Sequence, residues 1–364
     1  MNIVILAEFV VKSGVGVYVD SLCKAMRRKG HNAYIIADQY VFEDNSDVFY
    51  KRNFSKVDFG SLLKNIKYLR KFFKEKSIEA VEINHRRCGF LMKIYNMVYW
   101  YDKMPCVWVL HTERVPSSFF YRLVTYKGKK VIAISEEVKS HLINKLKINP
   151  NRIVKILNGV DSENLTRLSD EEITELKKKY GVPEDKIVLC MHGRIDKVKG
   201  IDVTLKAISA LDKTLLDKVV VVLSGVTENN TYYTEIMQLI DSLDLKGNVR
   251  FTGWITPREI LSMSDICIAP SRREGFLLTA VEVFFLKVPL IRTYTGGYTD
   301  MREVCCGIAI DDWQGLSDKI ADFVKDRHMY DEMVERAYRF ASSNCTLDVM
   351  ADKTIAVFEG VRKK

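Results

Sequence analysis

Two basic side chains, five residues apart, follow one predicted strand. Arg194 and Lys199 lie in the segment GRIDKVKG, between a strand predicted at 187–192 and a helix predicted to begin at Ile201. Two fixed cations at such a place can stabilise a diphosphate whose negative charge grows as it leaves. The alternative is that both are exposed loop charges with no ligand.

Two acidic side chains, eight residues apart, follow another predicted strand. Glu274 lies in the loop after a strand at 266–269, and Glu282 lies within the apolar helical segment LLTAVEVFFL. A carboxylate in such a helix is costly to bury without a partner, and sugar hydroxyls are suitable donors to it. The alternative gives Glu282 a salt bridge to Arg292 or Lys287 and leaves Glu274 on the surface.

Backbone N–H groups are further candidates for binding an anion. Those of Gly275, Phe276, Leu277 and Leu278 lie where the helix after Glu274 begins. The start of a helix presents unpaired N–H groups and a partial positive charge. These groups could therefore receive a phosphate or sugar oxygen.

Gly14 and Gly16 precede the first predicted helix in the segment KSGVGVYVDSL. The dinucleotide fingerprint requires a third glycine three residues further on, and Val19 occupies that position. The sequence therefore disfavours a nicotinamide enzyme. A tight turn between strand and helix explains the glycine pair as well as a ligand does.

Apolar strand-like runs alternate with helical patterns along the whole chain. The predicted strands are 2–7, 32–37, 80–84, 106–110, 130–134, 187–192, 219–224, 248–251, 266–269 and 288–291. Such strands separated by helices are typical of parallel sheets covered on both faces, which bind ligands at the carboxyl ends of their strands. We therefore predict an α/β fold with two doubly wound, Rossmann-like domains and a boundary near 158–168.

Composition and charge limit the function classes. The chain has 364 residues, of which 47% are apolar and 28% charged, as in ordinary two-domain globular proteins. Residues 1–160 carry 28 Lys and Arg against 14 Asp and Glu, whereas residues 161–364 carry 28 against 33. The first half is therefore expected either to meet an anionic partner or to present a solvated basic face.

The densest basic segment, SLLKNIKYLRKFFKEKS, is predicted to be an amphipathic helix. Lys64, Lys67, Lys71 and Lys74 fall opposite an apolar stripe. This face could rest on anionic lipid headgroups, whereas nucleic acid is disfavoured because no nucleic-acid-binding motif is present. The eight cysteines form no Cys-x-x-Cys pair, which favours a reduced cytoplasmic location.

Taken together and in order, these motifs resemble the retaining GT-B glycosyltransferases of group 1, family GT4. They are the GxG after the first strand, AISEEVKSHL, ILNGVD, GRxxxxKG, VRFTGWI and the Glu-x7-Glu pair. The resemblance implies GT-B architecture, in which two Rossmann-like domains face a cleft. It also implies an acceptor domain at 1–162, rejoined by a C-terminal helix at 346–364, and a donor domain at 163–345.

The resemblance also implies roles for the site residues. Arg194 and Lys199 match the pair that binds the donor's diphosphate, Glu274 the residue that contacts the transferred sugar, and Glu282 the one that holds the ribose.

His111, after the strand at 106–110, matches a histidine near the donor sugar; without the resemblance it reads as an ordinary strand-end histidine. Gly14 and Gly16 match a loop near the reacting centre. The predicted catalytic set is Glu274, His111, Arg194 and Lys199. The two glycines, Glu282 and residues 275–278 complete the predicted donor site.

The predicted reaction needs neither a cofactor nor a metal. The chain contains no Asp-x-Asp, so cations and a helix start would replace a metal clamp on the diphosphate. The donor would be a nucleotide sugar, with a UDP-sugar as first candidate, and no residue is an obvious nucleophile. A front-face transfer that retains the anomeric configuration is therefore expected.

The acceptor is expected to be a glycan or lipid-linked molecule in cell-surface polysaccharide or lipopolysaccharide synthesis. The enzyme would be cytoplasmic, with a possible peripheral contact at the inner face of the membrane. Two alternatives stay open: a nucleotide-sugar epimerase of the same architecture, and a non-catalytic sugar-nucleotide-binding subunit of a glycan assembly complex.

Overall fold

The computed structural model describes residues 1–42, 47–54, 58–113, 115–116, 118, 121, 125–226 and 230–363. The described chain divides into two units: Met1–Gly159 joined by the residues from Thr346 onward, and Val160–Cys345. The first crossing, between Gly159 and Val160, lies within the region 158–168 that we predicted from the sequence and three residues before the limit at 162 that the resemblance implied. The second lies at the start of the predicted C-terminal helix.

The first unit is built on a parallel sheet whose described strands follow the order β5-β3-β1-β6-β7-β8-β9. Strands β2 and β4 form a separate parallel pair. The strands are β1 Asn2–Leu6, β2 Phe9–Val10, β3 Asn32–Ala37, β4 Gln39–Tyr40, β5 Phe49–Lys51, β6 Ala80–Ile83, β7 Cys106–Leu110, β8 Lys130–Ala133 and β9 Ile153–Lys155. The direction of strand succession reverses between β1 and β6, which is where such sheets bind ligands.

The second unit repeats this topology. Its described strands follow the order β12-β11-β10-β13-β14-β15, and all neighbours are parallel. They are β10 Ile187–His192, β11 Val219–Ser224, β12 Val249–Gly253, β13 Ile266–Ala269, β14 Leu290–Thr293 and β15 Cys306–Ile308. The reversal lies between β10 and β13, so the loops after these two strands diverge from neighbouring positions.

Helices connect the strands. Those of the first unit are α1 Gly14–Arg28, α2 Phe59–Glu75, α3 Arg86–Val98, α4 Glu136–Asn144 and, after the chain returns to this unit, α14 Leu347–Glu359. Those of the second unit are α5 Asp170–Lys179, α6 Ile201–Ser209, α7 Lys213–Leu216, α8 Asn230–Ser242, α9 Pro257–Ser262, α10 Leu278–Phe285, α11 Tyr298–Met301, α12 Trp313–Lys325 and α13 Asp331–Asn344. Helix α14 is held to α1 by Lys29, whose Nζ lies 2.8 Å from Asp352 Oδ1 and 3.3 Å from Asp348 Oδ1.

The predicted α/β class with two Rossmann-like domains is confirmed. The strands that were predicted are the long apolar ones, and β11, with the sequence VVVVLS, is buried throughout. The sequence did not indicate β5, β9 and β15, because three residues are too few to show a strand pattern. Among the described residues, no helix combines the length and low polarity that crossing a membrane requires.

The predicted amphipathic helix is also confirmed as α2. Ile66, Leu69 and Phe73 are buried, and the four lysines of the opposite face are exposed. The apolar stripe is therefore core, and the basic face is available to solvent.

One carboxyl group lies inside the core of the first unit. Glu82, in β6, has no exposed surface, and its Oε2 has no hydrogen-bond partner within the described chain. Burial raises its pKa from the usual 4.5 to about 7, although a hydrogen bond from Asn84 opposes this. An ionised carboxylate there is costly, because it has lost its water and gained one hydrogen bond.

We therefore expect Glu82→Gln to stabilise the protein in a pH-dependent way. The unfolded chain loses the Glu82 proton at a lower pH than the folded chain does, so wild-type stability falls as pH rises from about 4.5 to about 7. Urea unfolding should show the variant gaining about 2.5 kcal/mol over wild type between pH 5 and pH 8. Glu332→Gln, at a side chain that is 95% exposed, is the control. An equal difference at both pH values would contradict the buried-carboxyl assignment.

Candidate active site

A pocket lies at the carboxyl ends of β10, β11 and β13 in the second unit. Arg194, Lys199 and Leu277 line it, together with Ser224 and Thr279. This is the position at which the strand order reverses. The structure thus places both predicted cations in one pocket at the predicted edge of the sheet.

Lys199 and Glu274 form an ion pair across the strand reversal. Lys199 Nζ lies 2.7 Å from Glu274 Oε1, and the two side chains are 22% and 13% exposed. Lys199 ends a 3₁₀ turn, Lys197–Lys199, whose first N–H groups are capped by Asp196. The alternative that left Glu274 on the surface is therefore wrong, because its carboxylate is largely enclosed and paired.

Arg194 lies on the same loop but is more exposed. Its Nη2 lies 3.0 Å from Asp196 Oδ2, and its side chain is 48% exposed. An exposed pair of this kind contributes little stability, so the guanidinium can exchange its carboxylate for a phosphate at small cost. The geometry is compatible with a diphosphate ligand in the pocket.

Arg272, which the sequence analysis missed, ties the two loops together. It donates to Asp202 at 2.7 and 2.9 Å, to Asp311 at 2.6 Å and to the carbonyl of Lys197 at 2.6 Å. Its own N–H donates to the carbonyl of Val198 at 2.8 Å. Its place directly after β13 was the signal available in the sequence.

Arg292 holds the loop at residues 295–296, which packs against the backbone of Glu274. Its side chain is fully buried in β14 and donates to the carbonyls of Gly296 at 2.8 Å and Thr295 at 3.3 Å. A Cβ on Gly296 would lie 2.4 Å from the carbonyl oxygen of Glu274, so only glycine permits this approach. Arg292 therefore positions Glu274 through the backbone, and it is not the predicted partner of Glu282.

The start of α10 presents unpaired backbone donors. Within the described chain, the N–H groups of Gly275, Phe276, Leu277 and Leu278 donate to no acceptor. Leu277 adopts the left-handed conformation, with φ of 67°, and no side chain caps the helix. Four donors thus lie beside the Lys199–Glu274 pair and can receive an anionic or hydroxyl oxygen.

Glu282 lies inside α10, and its carboxylate has no hydrogen bond or ion pair with another described residue. Lys287 pairs instead with Glu335 at 2.7 Å. Burial raises the pKa of Glu282 to about 7. A carboxylate so placed has its acceptor oxygens available for a ligand, although the proposed salt bridge to Arg292 or Lys287 does not form.

His192 is a second group that the sequence analysis missed. It ends β10, and its Nδ1 lies 3.2 Å from Ser224 Oγ. Burial, with a smaller contribution from the positive charge of Lys199, lowers its pKa to about 4. The imidazole in the pocket is therefore neutral at physiological pH.

In the first unit, Gly16 is required by the backbone. A Cβ at that position would lie 1.8 Å from the carbonyl oxygen of Val11, whereas a Cβ on Gly14 would meet nothing within 4 Å. Ser13 caps α1 by accepting from the N–H of Gly16 at 3.3 Å. The tight turn that we considered is thus present at Gly16, and Gly14 has open space beside it.

His111 follows β7 and lies at the carboxyl edge of the first sheet. Its Nε2 lies 2.7 Å from Asn84 Oδ1, and its ring packs edge-on against Tyr18 with centroids 4.8 Å apart. Burial, with a smaller contribution from His85, lowers its pKa to about 3. His111 is therefore neutral and oriented, which an ordinary strand-end histidine need not be.

The predicted residues thus form two groups. Arg194, Lys199, Glu274, Glu282 and residues 275–278 lie in the second unit, and His111, Gly14 and Gly16 lie in the first. Within the described ranges, no three His, Cys, Asp or Glu side chains lie close enough together to hold a metal ion.

Two Rossmann-like units, with a cation pair and a carboxylate at the strand reversal of the second, define the GT-B class of glycosyltransferases. Residues 172–340 match the family described as Glycosyl transferases group 1, and residues 12–164 match Glycosyltransferase Family 4. The chain belongs to this family of GT-B glycosyltransferases, as the sequence motifs predicted.

Individual glycosyltransferases are similar to this chain over part of their length. The D-inositol 3-phosphate glycosyltransferase of Thermobifida fusca is 30% identical over 192 residues, which are 50% of this chain and 43% of that protein. The lipopolysaccharide core biosynthesis mannosyltransferase LpsB of Rhizobium meliloti is 28% identical over 222 residues, 59% of this chain and 62% of that protein. The matched segments therefore span less than two thirds of either relative.

The fold is shared over nearly the whole chain with solved structures. The Anabaena protein HepE, crystallised with UDP and glucose, superposes with a TM-score of 0.85 at 18% identity, covering 99% of this chain and 100% of that one. This likeness establishes the fold.

We expect Arg292→Met to destabilise the second unit, because the carbonyls of Thr295 and Gly296 lose a buried donor. The free energy of unfolding should fall by about 1–3 kcal/mol, as measured by urea denaturation. Arg302→Met replaces an arginine that is 64% exposed and should change stability by less than about 0.5 kcal/mol. Equal effects of the two substitutions would show that Arg292 does not hold this loop.

Proposed function

We propose that this protein is a retaining glycosyltransferase that moves a sugar from a nucleotide diphosphate donor to a glycan or lipid-linked acceptor. The observation that carries the proposal is the ion pair of Lys199 and Glu274 beside Arg194 and the unpaired N–H groups at the start of α10. This set supplies positive groups for a diphosphate and an acidic group for a sugar. The complex of HepE with UDP supports UDP as the nucleotide.

The chemistry asked of the cations is stabilisation of the leaving group. As the bond between the sugar and the diphosphate breaks, negative charge builds on the phosphate oxygen. Arg194, Lys199 and the N–H groups of residues 275–278 would stabilise that charge once the donor is bound. We therefore propose that transfer proceeds without a divalent metal.

The carboxylates and His111 would orient the reacting sugar. Glu274 would accept from sugar hydroxyls once Lys199 turns to phosphate, and Glu282 would accept from the ribose. His111 would contact the transferred sugar as a neutral group. Because no side chain stands out as a nucleophile, the leaving phosphate oxygen would deprotonate the incoming hydroxyl on the same face, which retains configuration.

The acceptor is proposed to be anionic or lipid-linked and to dock on the first unit. Lys64, Lys67, Lys71 and Lys74 form an exposed basic face on α2. The turn after the neighbouring α3 exposes Trp100 by 72%, and Tyr101 beside it by 66%. Arg70 of α2 lies over the Tyr101 ring at 5.9 Å, so the turn after α3 packs against α2. Aromatic and basic side chains together favour the interface of an anionic membrane.

Cell-surface polysaccharide or lipopolysaccharide synthesis at the inner face of the cytoplasmic membrane is the proposed setting.

We expect substitutions in the second-unit pocket to reduce transfer without removing the fold. With a panel of UDP-, GDP- and ADP-sugars and a mixed glycolipid acceptor extract, wild type should consume one donor class, and EDTA should leave the rate unchanged. Arg194→Ala, Lys199→Ala and Glu274→Gln should each lower kcat/KM by at least about 10²-fold. Lys197→Ala, at an exposed lysine of the same loop, should stay within about twofold of wild type.

Three outcomes would contradict the proposal. Acceptor-independent conversion of the donor to an epimer would indicate the isomerase. Donor binding by thermal shift, with no turnover under any condition, would indicate a non-catalytic subunit. A rate abolished by EDTA and restored by Mg²⁺ would exclude the metal-independent mechanism.

Membrane docking is expected to depend on charge. In flotation assays the protein should bind vesicles with 30 mol% anionic lipid, and replacing the four α2 lysines by Gln should weaken binding by up to about 10³-fold, at about 1 kcal/mol per lysine. The matched control replaces four exposed lysines of the second unit, Lys178, Lys179, Lys213 and Lys218. Tight binding to neutral vesicles, or an equal loss in the control, would contradict the docking surface.

A further inference from the structure

A chain of three polar side chains runs from the core of the first unit to His111. Asn84 Nδ2 donates to Glu82 Oε1 at 3.0 Å, and Asn84 Oδ1 lies 2.7 Å from His111 Nε2. Glu82 is fully buried and Asn84 is 7% exposed. The contacts therefore join an enclosed carboxyl group to the predicted sugar-binding histidine.

The backbone places these groups in line. Glu82 lies in β6 and Asn84 directly follows it, so the two side chains, two residues apart, point to one face of the sheet. His111 follows β7, the neighbour of β6. The Asn84 N–H donates to the carbonyl of Leu6 at 3.1 Å, which fixes the backbone between them.

The direction of each hydrogen bond follows from the donors available. When Glu82 is ionised, its oxygens can only accept, so Asn84 turns its amide NH₂ toward Glu82 and its carbonyl oxygen toward His111. A carbonyl oxygen can only accept, so Nε2 of the neutral imidazole must carry the proton. His111 Nδ1 is then unprotonated, and it has no hydrogen-bond partner among the described residues.

We propose that Glu82 is a positioning residue that, acting through Asn84, holds His111 as the Nε2–H tautomer and leaves Nδ1 to accept a hydroxyl of the sugar substrate. This inference rests on the proposed function, because it assigns the atom of His111 that the sugar contacts. Glu82 itself touches neither substrate nor reacting atoms.

Packing around the relay supports a role beyond stability. The buried ring of Tyr18 packs edge-on against the His111 ring, with centroids 4.8 Å apart. Burial raises the pKa of Tyr18, as does the nearby charge of Glu82. An apolar side chain at position 82 would suit this core better, so stability alone does not account for a carboxyl group there.

The first test needs no variant at position 82. Uniform ¹⁵N labelling of histidine gives six imidazoles, and His111 can be assigned by the signal lost in His111→Gln. Long-range ¹H–¹⁵N spectra of the wild-type protein should show His111 as the neutral Nε2–H tautomer. An Nδ1–H tautomer, or a mixture of the two, would overturn the proposal.

The second test removes the acceptor. In Glu82→Leu, Asn84 loses the group that fixes its amide, so both His111 tautomers should appear and kcat should fall about tenfold, the effect of one lost hydrogen bond. The Kd of the donor's nucleoside diphosphate, which lacks the sugar, should change less than twofold. Glu82→Gln restores a carbonyl acceptor and should restore the Nε2–H signal and most of the turnover. Full activity in a folded Glu82→Leu protein, or a tenfold loss in Glu82→Gln with the Nε2–H signal intact, would overturn the proposal.

The two proposals fail differently. If the wild-type protein shows the Nε2–H tautomer but turns over no donor, the proposed function fails and takes with it the role assigned to Nδ1. If it turns over a donor and Glu82→Leu keeps its kcat, the transferase assignment stands and the positioning role of Glu82 falls.

Discussion

The ion pair between Lys199 and Glu274 joins two loops that would otherwise diverge. The loops follow β10 and β13, at the point where the strand order of the second sheet reverses. Parallel strands leave such a gap because successive connections leave in opposite directions along the sheet. Arg272 closes the gap from one side through Asp202 and the carbonyl of Lys197, and Arg292 closes it from the other through the carbonyl of Gly296. The positions of the predicted site residues in this unit depend on these contacts.

The four basic side chains at this edge of the second sheet differ in the free energy needed to release their present partners for a ligand. Arg272 and Arg292 are enclosed and hold several acceptors each, so they are fixed parts of the frame. Arg194 is half exposed, and an exposed pair exchanges partners at little cost, whereas the Lys199–Glu274 pair is largely enclosed. The protein therefore keeps its loops rigid with two arginines and one ion pair and leaves Arg194 available. The unpaired N–H groups at the start of α10 complete an environment that favours an anion.

The first unit uses burial for a different purpose. Glu82 lies where an apolar side chain would stabilise the sheet, yet it reaches Asn84 and, through it, His111. Groups that weaken a core are expected where a site must be oriented, because a neutral histidine has two tautomers and a fixed hydrogen-bond partner holds it in one of them. The basic face of α2 and the exposed aromatic side chains after α3 lie elsewhere on this unit and depend on none of these contacts.

The sequence by itself determined the fold class, the long apolar strands, the amphipathic helix α2 and the identity of Arg194, Lys199, Glu274 and Glu282 as the groups to examine. Each of these depends on local pattern or on order along the chain, which the sequence records directly. Only the tertiary structure decided what those groups contact. Residues 199 and 274, or 84 and 111, meet because parallel strands place distant loops at one edge, and sequence spacing does not report that distance. The roles of Arg272, Arg292, His192 and Glu82 escaped the sequence analysis for the same reason: such a group acquires its role from the carbonyls and side chains that surround it.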